Sequence, residues 1–193
     1  MRPPDGVFVH EHALVETGDV GMGTRIWAFA HVLSGARIGR DCNVCDHVFV
    51  EDDVSIGNDV TVKNGVLIFD GVTIEDEVFI GPGTVFTNDR VPRVSSPRQP
   101  PTLLPTVVRH GASIGANVTV LCELTIGACA FVAAGSVVTG DVPPHGLVMG
   151  NPARRVGWVC SCGKRLPSAL RCECGRAFSL AGEAEGPVPA AGP

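Results

Sequence analysis

The 193-residue chain has a net charge of −5 at pH 7, an apolar set led by Val and Ile, 24 glycines and no tyrosine. No Lys/Arg cluster is interleaved with aromatics, which argues against a nucleic-acid partner, and no apolar stretch has the length of a membrane span or a signal-peptide core, so a cytoplasmic protein with no membrane partner is expected. Runs of Leu, Ala, Glu and Lys that build helices are also missing, and the expected class is all-β.

Counted in sixes from Phe8, the residues Leu14, Val20, Ile26, Val32, Ile38, Val44, Val50, Ile56, Val62, Ile68, Ile74, Ile80 and Phe86 are all apolar. Four residues after such an anchor stands a small or β-branched residue, as at Ala36, Cys42, Val54, Val60, Val72 and Thr84. Gly21, Gly39, Gly57 and Gly81 directly follow an anchor, where they are expected to free the backbone for a turn. A period of six is neither the 3.6 of a helix nor the 2 of a lone strand. It fits a strand and a turn repeated, three hexads closing a triangular coil whose anchors are buried by the coils above and below.

The rhythm stops at Thr87-Asn88-Asp89. With three hexads per coil, residues eighteen apart stack at about 4.8 Å, which sets Asn88 over Asp70 over Asp52 and Thr87 over Phe69 over Glu51. The count resumes at Val108 and runs through Ile114, Val120, Ile126, Val132 and Val138, with Gly115 and Gly127 again following anchors. The insertion over 88–107 carries five prolines, which cannot pair in a ladder and hold the chain extended. Rooted beside an Asn-Asp pair, it reads as the wall of a site, with a tolerated surface insertion as the plainer alternative.

Near the C-terminus Cys160-Ser-Cys162-Gly and Cys172-Glu-Cys174-Gly form two like knuckles around "KRLPSALR". Four thiolates at this spacing suit a closed tetrahedral Zn2+ site of structural type, although the common ribbon pattern is CxxC and this chain has CxC twice; redox chemistry competes. After Leu180 the small, Pro-rich tail reads as disordered. The expected organisation is a β-helix domain over 1–156, a four-cysteine zinc-ribbon-like segment over 157–180 and a disordered tail over 181–193.

The hexads "IGRDCN", "IGNDVT", "IGANVT" and "IGACAF" resemble the hexapeptide repeat of left-handed parallel β-helix acyltransferases, over roughly residues 8 to 143. The exit segment "AAGSVVTGDVPPHGLVMGNPARRVGW" is similar to the end of that solenoid, where the family binds coenzyme A. Within the family, "CNVCDHVFVEDDVSIGNDVTVKNGV", "FDGVTIEDEVFIGP" and "FTNDRVPR" resemble the N-acetyltransferases that act on the 3-amino group of nucleotide-linked sugars. The resemblance implies a left-handed winding, a homotrimer with sites between neighbouring subunits, acetyl-CoA as cosubstrate and a nucleotide-linked amino sugar as partner. The dTDP-3-amino-3,6-dideoxyhexose enzymes are favoured slightly over the UDP-3-amino-glucuronate enzymes, serving surface polysaccharide or glycosylated-metabolite synthesis.

The implied chemistry is attack of a neutral sugar amine on a thioester carbonyl, which needs positioning and a donor for the developing oxyanion but no metal. The resemblance gives Asn88 the task of orienting the amine, for which a carboxamide offers both a donor and an acceptor. Candidate bases are His31, His47, Glu51 and Asp70, with direct attack without a dedicated base equally open. Glu51 and Asp70 also have a duller reading as solvated carboxylates. The resemblance puts pantetheine against main-chain groups of Ala116, Ala134, Thr139 and Gly140, with Arg154 for the phosphates or as part of an end cap. Trp27 and Arg25 are candidates for the base and the pyrophosphate, Trp27 also for an interface, and His31, Asp89 and Arg93 complete the substrate set. A sugar O-acetyltransferase of the same fold is the nearest rival and a non-catalytic trimeric scaffold a second; the six histidines offer no ligand set for a metal lyase of this fold.

Overall fold

The β-branched anchors are what close this chain on itself. In the computed structural model, which describes residues 6–93, 104–182 and 186–190, almost every hexad supplies a strand of two residues, the first facing out and the second buried. Hexads three apart in sequence pair in parallel, giving a three-sided solenoid with no helix among the described residues. The first face runs from Phe8–Val9 through Arg25–Ile26, Asn43–Val44, Thr61–Val62, Phe79–Ile80, Ser113–Ile114 and Phe131–Val132 to Gly146–Met149. The second face holds Leu14–Val15 to Val137–Val138, and the third Arg37–Ile38 to Thr125–Ile126. Ile26, Val32, Val44, Val50, Val62, Ile68, Ile80, Phe86, Val108 and Val120 are wholly buried, and the residues four further on join the same core.

The phase of the repeat is offset at its start. Phe8 pairs with Arg25 and Val9 with Ile26, while Leu14 pairs with His31 and Val15 with Val32, an offset of 17 rather than 18. Phe8 and Leu14 are therefore exposed, and Val9 and Val15 point inward in place of those expected anchors. The hexad before Val20 is one residue short, and the corner there is held by Thr17, whose buried hydroxyl donates to the Ala36 carbonyl at 2.8 Å.

The glycines after the anchors also have a reason different from the expected one. Gly39 and Gly57 do not occupy the left-handed region; a Cβ on Gly39 would strike the Gly57 carbonyl, and one on Gly57 would strike the backbone of Glu75 and Asp76. Glycine is needed because successive coils touch at that edge.

The insertion returns in register. Val72 pairs with Thr106 and Ile74 with Val108, an offset of 34, so the excursion adds sixteen residues and leaves the phase intact. The third-face strand resumes at Thr106, and Leu104 N–H donates to the Asn88 carbonyl at 3.4 Å. Arg154–Trp158 then runs antiparallel on Gly146–Met149 and caps the first face.

The segment after Leu180 differs from the disordered tail expected of it. Phe178–Gly182 and Gly186–Pro189 form an antiparallel pair, and Gly186 is seated so closely on the Pro144 carbonyl and the Trp158 ring that a side chain there would collide with both. Packing supplies what composition did not show.

Candidate active site

Three edges join the three faces, and most of the candidate residues divide between two of them. The edge between the second and third faces carries Glu51-Asp52-Asp53, Phe69-Asp70-Gly71 and Thr87-Asn88. The register of Phe49 with Leu67 and of Leu67 with Val85 sets Asn88 above Asp70 and Asp70 above Asp52, as the arithmetic of eighteen requires. These carboxylates are tied to the backbone. Glu51 Oε2 accepts the Asp70 N–H at 2.7 Å, Asp70 Oδ1 accepts the Asp53 N–H at 2.8 Å, and Asp52 Oδ1 accepts the Gly35 N–H at 2.8 Å and the Ser34 hydroxyl at 3.1 Å.

Each acid thus binds a corner amide of an adjoining rung, which neither the catalytic nor the solvated reading of Glu51 and Asp70 anticipated. Asp70 keeps Oδ2 without a partner among the described residues. The half-buried Asn88 carboxamide likewise has none. At the root of the insertion, Asp89 Oδ1 accepts the Val91 N–H at 2.8 Å, a local turn, and Arg90 pairs with Glu123 at 3.1 Å. Arg93 is exposed where the first limb of the excursion ends; the rest of the expected wall, over 94–103, lies outside the described residues.

His47 lies on a different edge, between the first and second faces, so one chain does not bring it to Asn88. It is exposed, has φ of 59°, and its ring stacks on Phe29 with centroids 5.0 Å apart. His31 stands on the second face, where Nε2 meets Glu16 Oε1 at 2.8 Å and the ring packs edge-on to Phe49. Trp27 donates its indole N–H to Asn43 Oδ1 at 2.7 Å and leans on Phe8, and Arg25 is exposed on the first face.

The cofactor candidates also span two edges. Ala116 and Ala134 are stacked on the edge between the first and second faces, where the Ala116 carbonyl accepts the Gly135 N–H at 2.8 Å. Thr139 and Gly140 sit at the end of the Asn88 edge and line a hollow of about 390 Å³ with Pro143, Arg154 and Arg155. That hollow adjoins a groove of about 750 Å³ lined by Arg109, Thr125, Ala128, Asp141, Pro144 and Arg155. Neither Arg109 nor the Pro143-Pro144 pair of this groove was among the sequence candidates.

The four C-terminal cysteines converge. Their sulfurs lie within 4.8 Å of one another, with Cys160–Cys174 and Cys162–Cys172 both at 3.6 Å. A tetrahedral site with Zn–S of ~2.3 Å requires sulfurs about 3.8 Å apart, so the set fits zinc. The two knuckles are copies: Gly163 N–H donates to the Cys160 carbonyl and Gly175 N–H to that of Cys172, both glycines in the left-handed region. The CxC spacing is accommodated there by the positive φ of the glycine that follows each pair.

No protein-family model matches the chain. It is 52% identical over 177 residues, 90% of this chain and 91% of the relative, to a dTDP-3-amino-3,6-dideoxy-α-D-galactopyranose 3-N-acetyltransferase of Aneurinibacillus thermoaerophilus. A 52-residue stretch, 27% of this chain and 15% of the relative, is 54% identical to serine acetyltransferase 4 of Arabidopsis thaliana. A solved Bacillus cereus structure provisionally assigned as an acetyltransferase superposes with a TM-score of 0.54 at 17% identity, covering 80% of this chain and 78% of that one, which shows the shared fold.

Proposed function

Because this chain belongs to the hexapeptide-repeat 3-N-acetyltransferases of nucleotide-linked amino sugars, we propose that it moves an acetyl group from acetyl-CoA to the 3-amino nitrogen of a dTDP-linked 3-amino-3,6-dideoxyhexose. The observation that carries this reading is 52% identity spread over nine-tenths of both chains. Both co-substrates are cytosolic metabolites, so the reading carries a cytoplasmic location and a place in making sugars for surface polysaccharide or glycosylated metabolites.

The site is assembled between protomers of a homotrimer, since the candidate residues of one chain divide between two edges. Asn88 accepts one N–H of the incoming amine and fixes its approach to the thioester. The free Asp70 oxygen takes the proton that nitrogen gives up as the C–N bond forms; the C–S bond then breaks, and that proton passes from Asp70, directly or through water, to the departing thiolate, which leaves free coenzyme A and a regenerated carboxylate. Glu51 acts through Asp70 as a positioning residue. Pantetheine runs past the main chain of Ala116, Ala134, Thr139 and Gly140, and Arg154 and Arg155, at the mouth of the two hollows, face its phosphates. Asp89 and Arg93, at the root of the excursion, bind the sugar. Cys160, Cys162, Cys172 and Cys174 hold a structural zinc that supplies folding energy to the appendage and takes no part in acyl transfer.

The test is to incubate the protein with acetyl-CoA and a panel of dTDP- and UDP-linked amino sugars while following thiol release. Turnover with dTDP-linked 3-amino sugars is expected, with an amide as product; an ester product would replace this reading with O-acetylation.

A further inference from the structure

Along the edge between the first and second faces, one left-handed residue per coil forms a continuous ladder. Phe29 N–H donates to the His12 carbonyl, and the amides of His47, Gly65, Gly83 and Asn117 donate in turn to Ala28, Asp46, Asn64 and Pro82. Positive φ is easy for glycine and strained for a bulky residue. Gly65, Gly83 and Gly135 take it freely, yet two rungs hold Phe29 at φ 60° and His47 at φ 59°. Those costly rungs are stacked rings: His12 on Phe29 with centroids 5.6 Å apart and planes at 13°, Phe29 on His47 at 5.0 Å and 15°.

The coil repeat of about 4.8 Å is thus also the stacking interval, and the column of rings ends at His47. The next rung is Gly65, whose missing side chain leaves open space, with nothing within 4 Å of where a Cβ would stand. Above it, the Asn117 carboxamide folds down over Gly83. Two residues before Gly65 stands Lys63, one of two lysines in the chain, with no ion pair among the described residues.

We propose that a nucleobase completes this column, lying on the open face of His47 in the Gly65 gap, with the Lys63 ammonium on the diphosphate. A flat ring and an adjacent doubly charged anion match a ring face beside an unpaired cation. Trp27, the other aromatic on this edge, is closed by Phe8 and has given its N–H to Asn43. The axial order agrees: Gly65 shares a coil with Asp70, so the base lies level with the reacting end, below the coils of Ala116 and Ala134. This subsite rests on the proposed function, since it reads the nucleotide half of that substrate across the protomer seam.

The experiment measures binding of thymidine diphosphate and of thymidine to the full-length protein by calorimetry, with KM and kcat for the nucleotide-linked sugar. Gly65→Asn fills the gap with a residue that Asn117 shows is accepted on this ladder. It is expected to weaken thymidine diphosphate and to raise KM about tenfold or more, with kcat little changed, as loss of one base stack implies. Lys63→Ala is expected to weaken the diphosphate but not the nucleoside. Variants that keep wild-type affinity and KM while acetyl transfer proceeds would overturn the subsite and leave the function standing. Wild-type protein that acetylates no nucleotide-linked amino sugar would sink the function itself, and the subsite with it.

Discussion

Glu51 Oε2 holds the backbone N–H of Asp70 at 2.7 Å, so one acid of the candidate site fixes the main chain that carries the other. Their roles separate on this contact. Glu51→Gln keeps an acceptor for that amide and should leave turnover within a few-fold of wild type. Glu51→Ala strands the amide and is expected to cost about 1 kcal/mol of stability and to lower kcat with it. Asn88→Ala, whose carboxamide has no hydrogen-bond partner among the described residues, should lower kcat about a hundredfold with little change in melting temperature. Steady-state kinetics beside thermal melts of the three variants check the assignment, and an Asn88→Ala enzyme at near wild-type turnover would remove Asn88 from the chemistry.

Close contact between coils makes a second set of expectations. Gly39→Ala drives a methyl into the Gly57 carbonyl and should destabilise the solenoid by about 3 kcal/mol. Gly18→Ala, on an open corner with nothing within 4 Å, should be neutral or gain about 0.5 kcal/mol through the unfolded chain. Urea unfolding of both variants measures the contrast; equal effects would mean that the glycine column is not dictated by contact between coils.

The strand that follows the insertion is pinned by Glu75. Arg109 donates to its Oε1 at 2.6 Å and His110 N–H to its Oε2 at 2.8 Å. Partial burial pushes this carboxyl up, but the His110 amide and the Arg109 guanidinium outweigh it and hold it below the ordinary 4.5. A depressed folded value means the contribution is complete above about pH 4.5 and lost as pH falls through the lower folded value. Glu75→Gln should therefore be less stable than wild type at pH 7, by about 1 kcal/mol at this exposed pair, and the two should converge under acid. Denaturation midpoints from pH 7 to pH 3 test this, and a gap that widens in acid would contradict it.

For the appendage, metal analysis of freshly purified protein is expected to find about one zinc per chain, lost in Cys172→Ser. Chelation should loosen the segment around Trp158 and Phe178, read by tryptophan fluorescence, while the solenoid keeps its far-UV signature. Metal-free protein with an unchanged spectrum would point to thiol chemistry instead.

Much of the scaffold could be read from the chain because a buried position on every coil admits only apolar residues, and because an eighteen-residue rise converts position into height. That is why Asn88, Asp70 and Asp52 could be stacked by counting alone. The first coil was misread because Phe8-Val9 and Leu14-Val15 are adjacent apolar pairs, and counting cannot tell which member faces in when one corner is a residue short. That the candidate base His47 stands on a different edge from Asn88 was not legible, because nearness in sequence hides which edge of a prism a residue occupies. The anchoring of Glu51 and Asp70 to amides, the pairing of the tail and the ring column all depend on side-chain directions and neighbours that periodicity does not encode.

The return of the insertion at an offset of 34 has an evolutionary consequence. Since the prism on either side keeps its phase, the excursion behaves as an exchangeable module: its length and chemistry can be rewritten by mutation without disturbing the frame. Related chains are then free to share one architecture and differ in the segment that leaves it after Asn88 and rejoins it at Thr106.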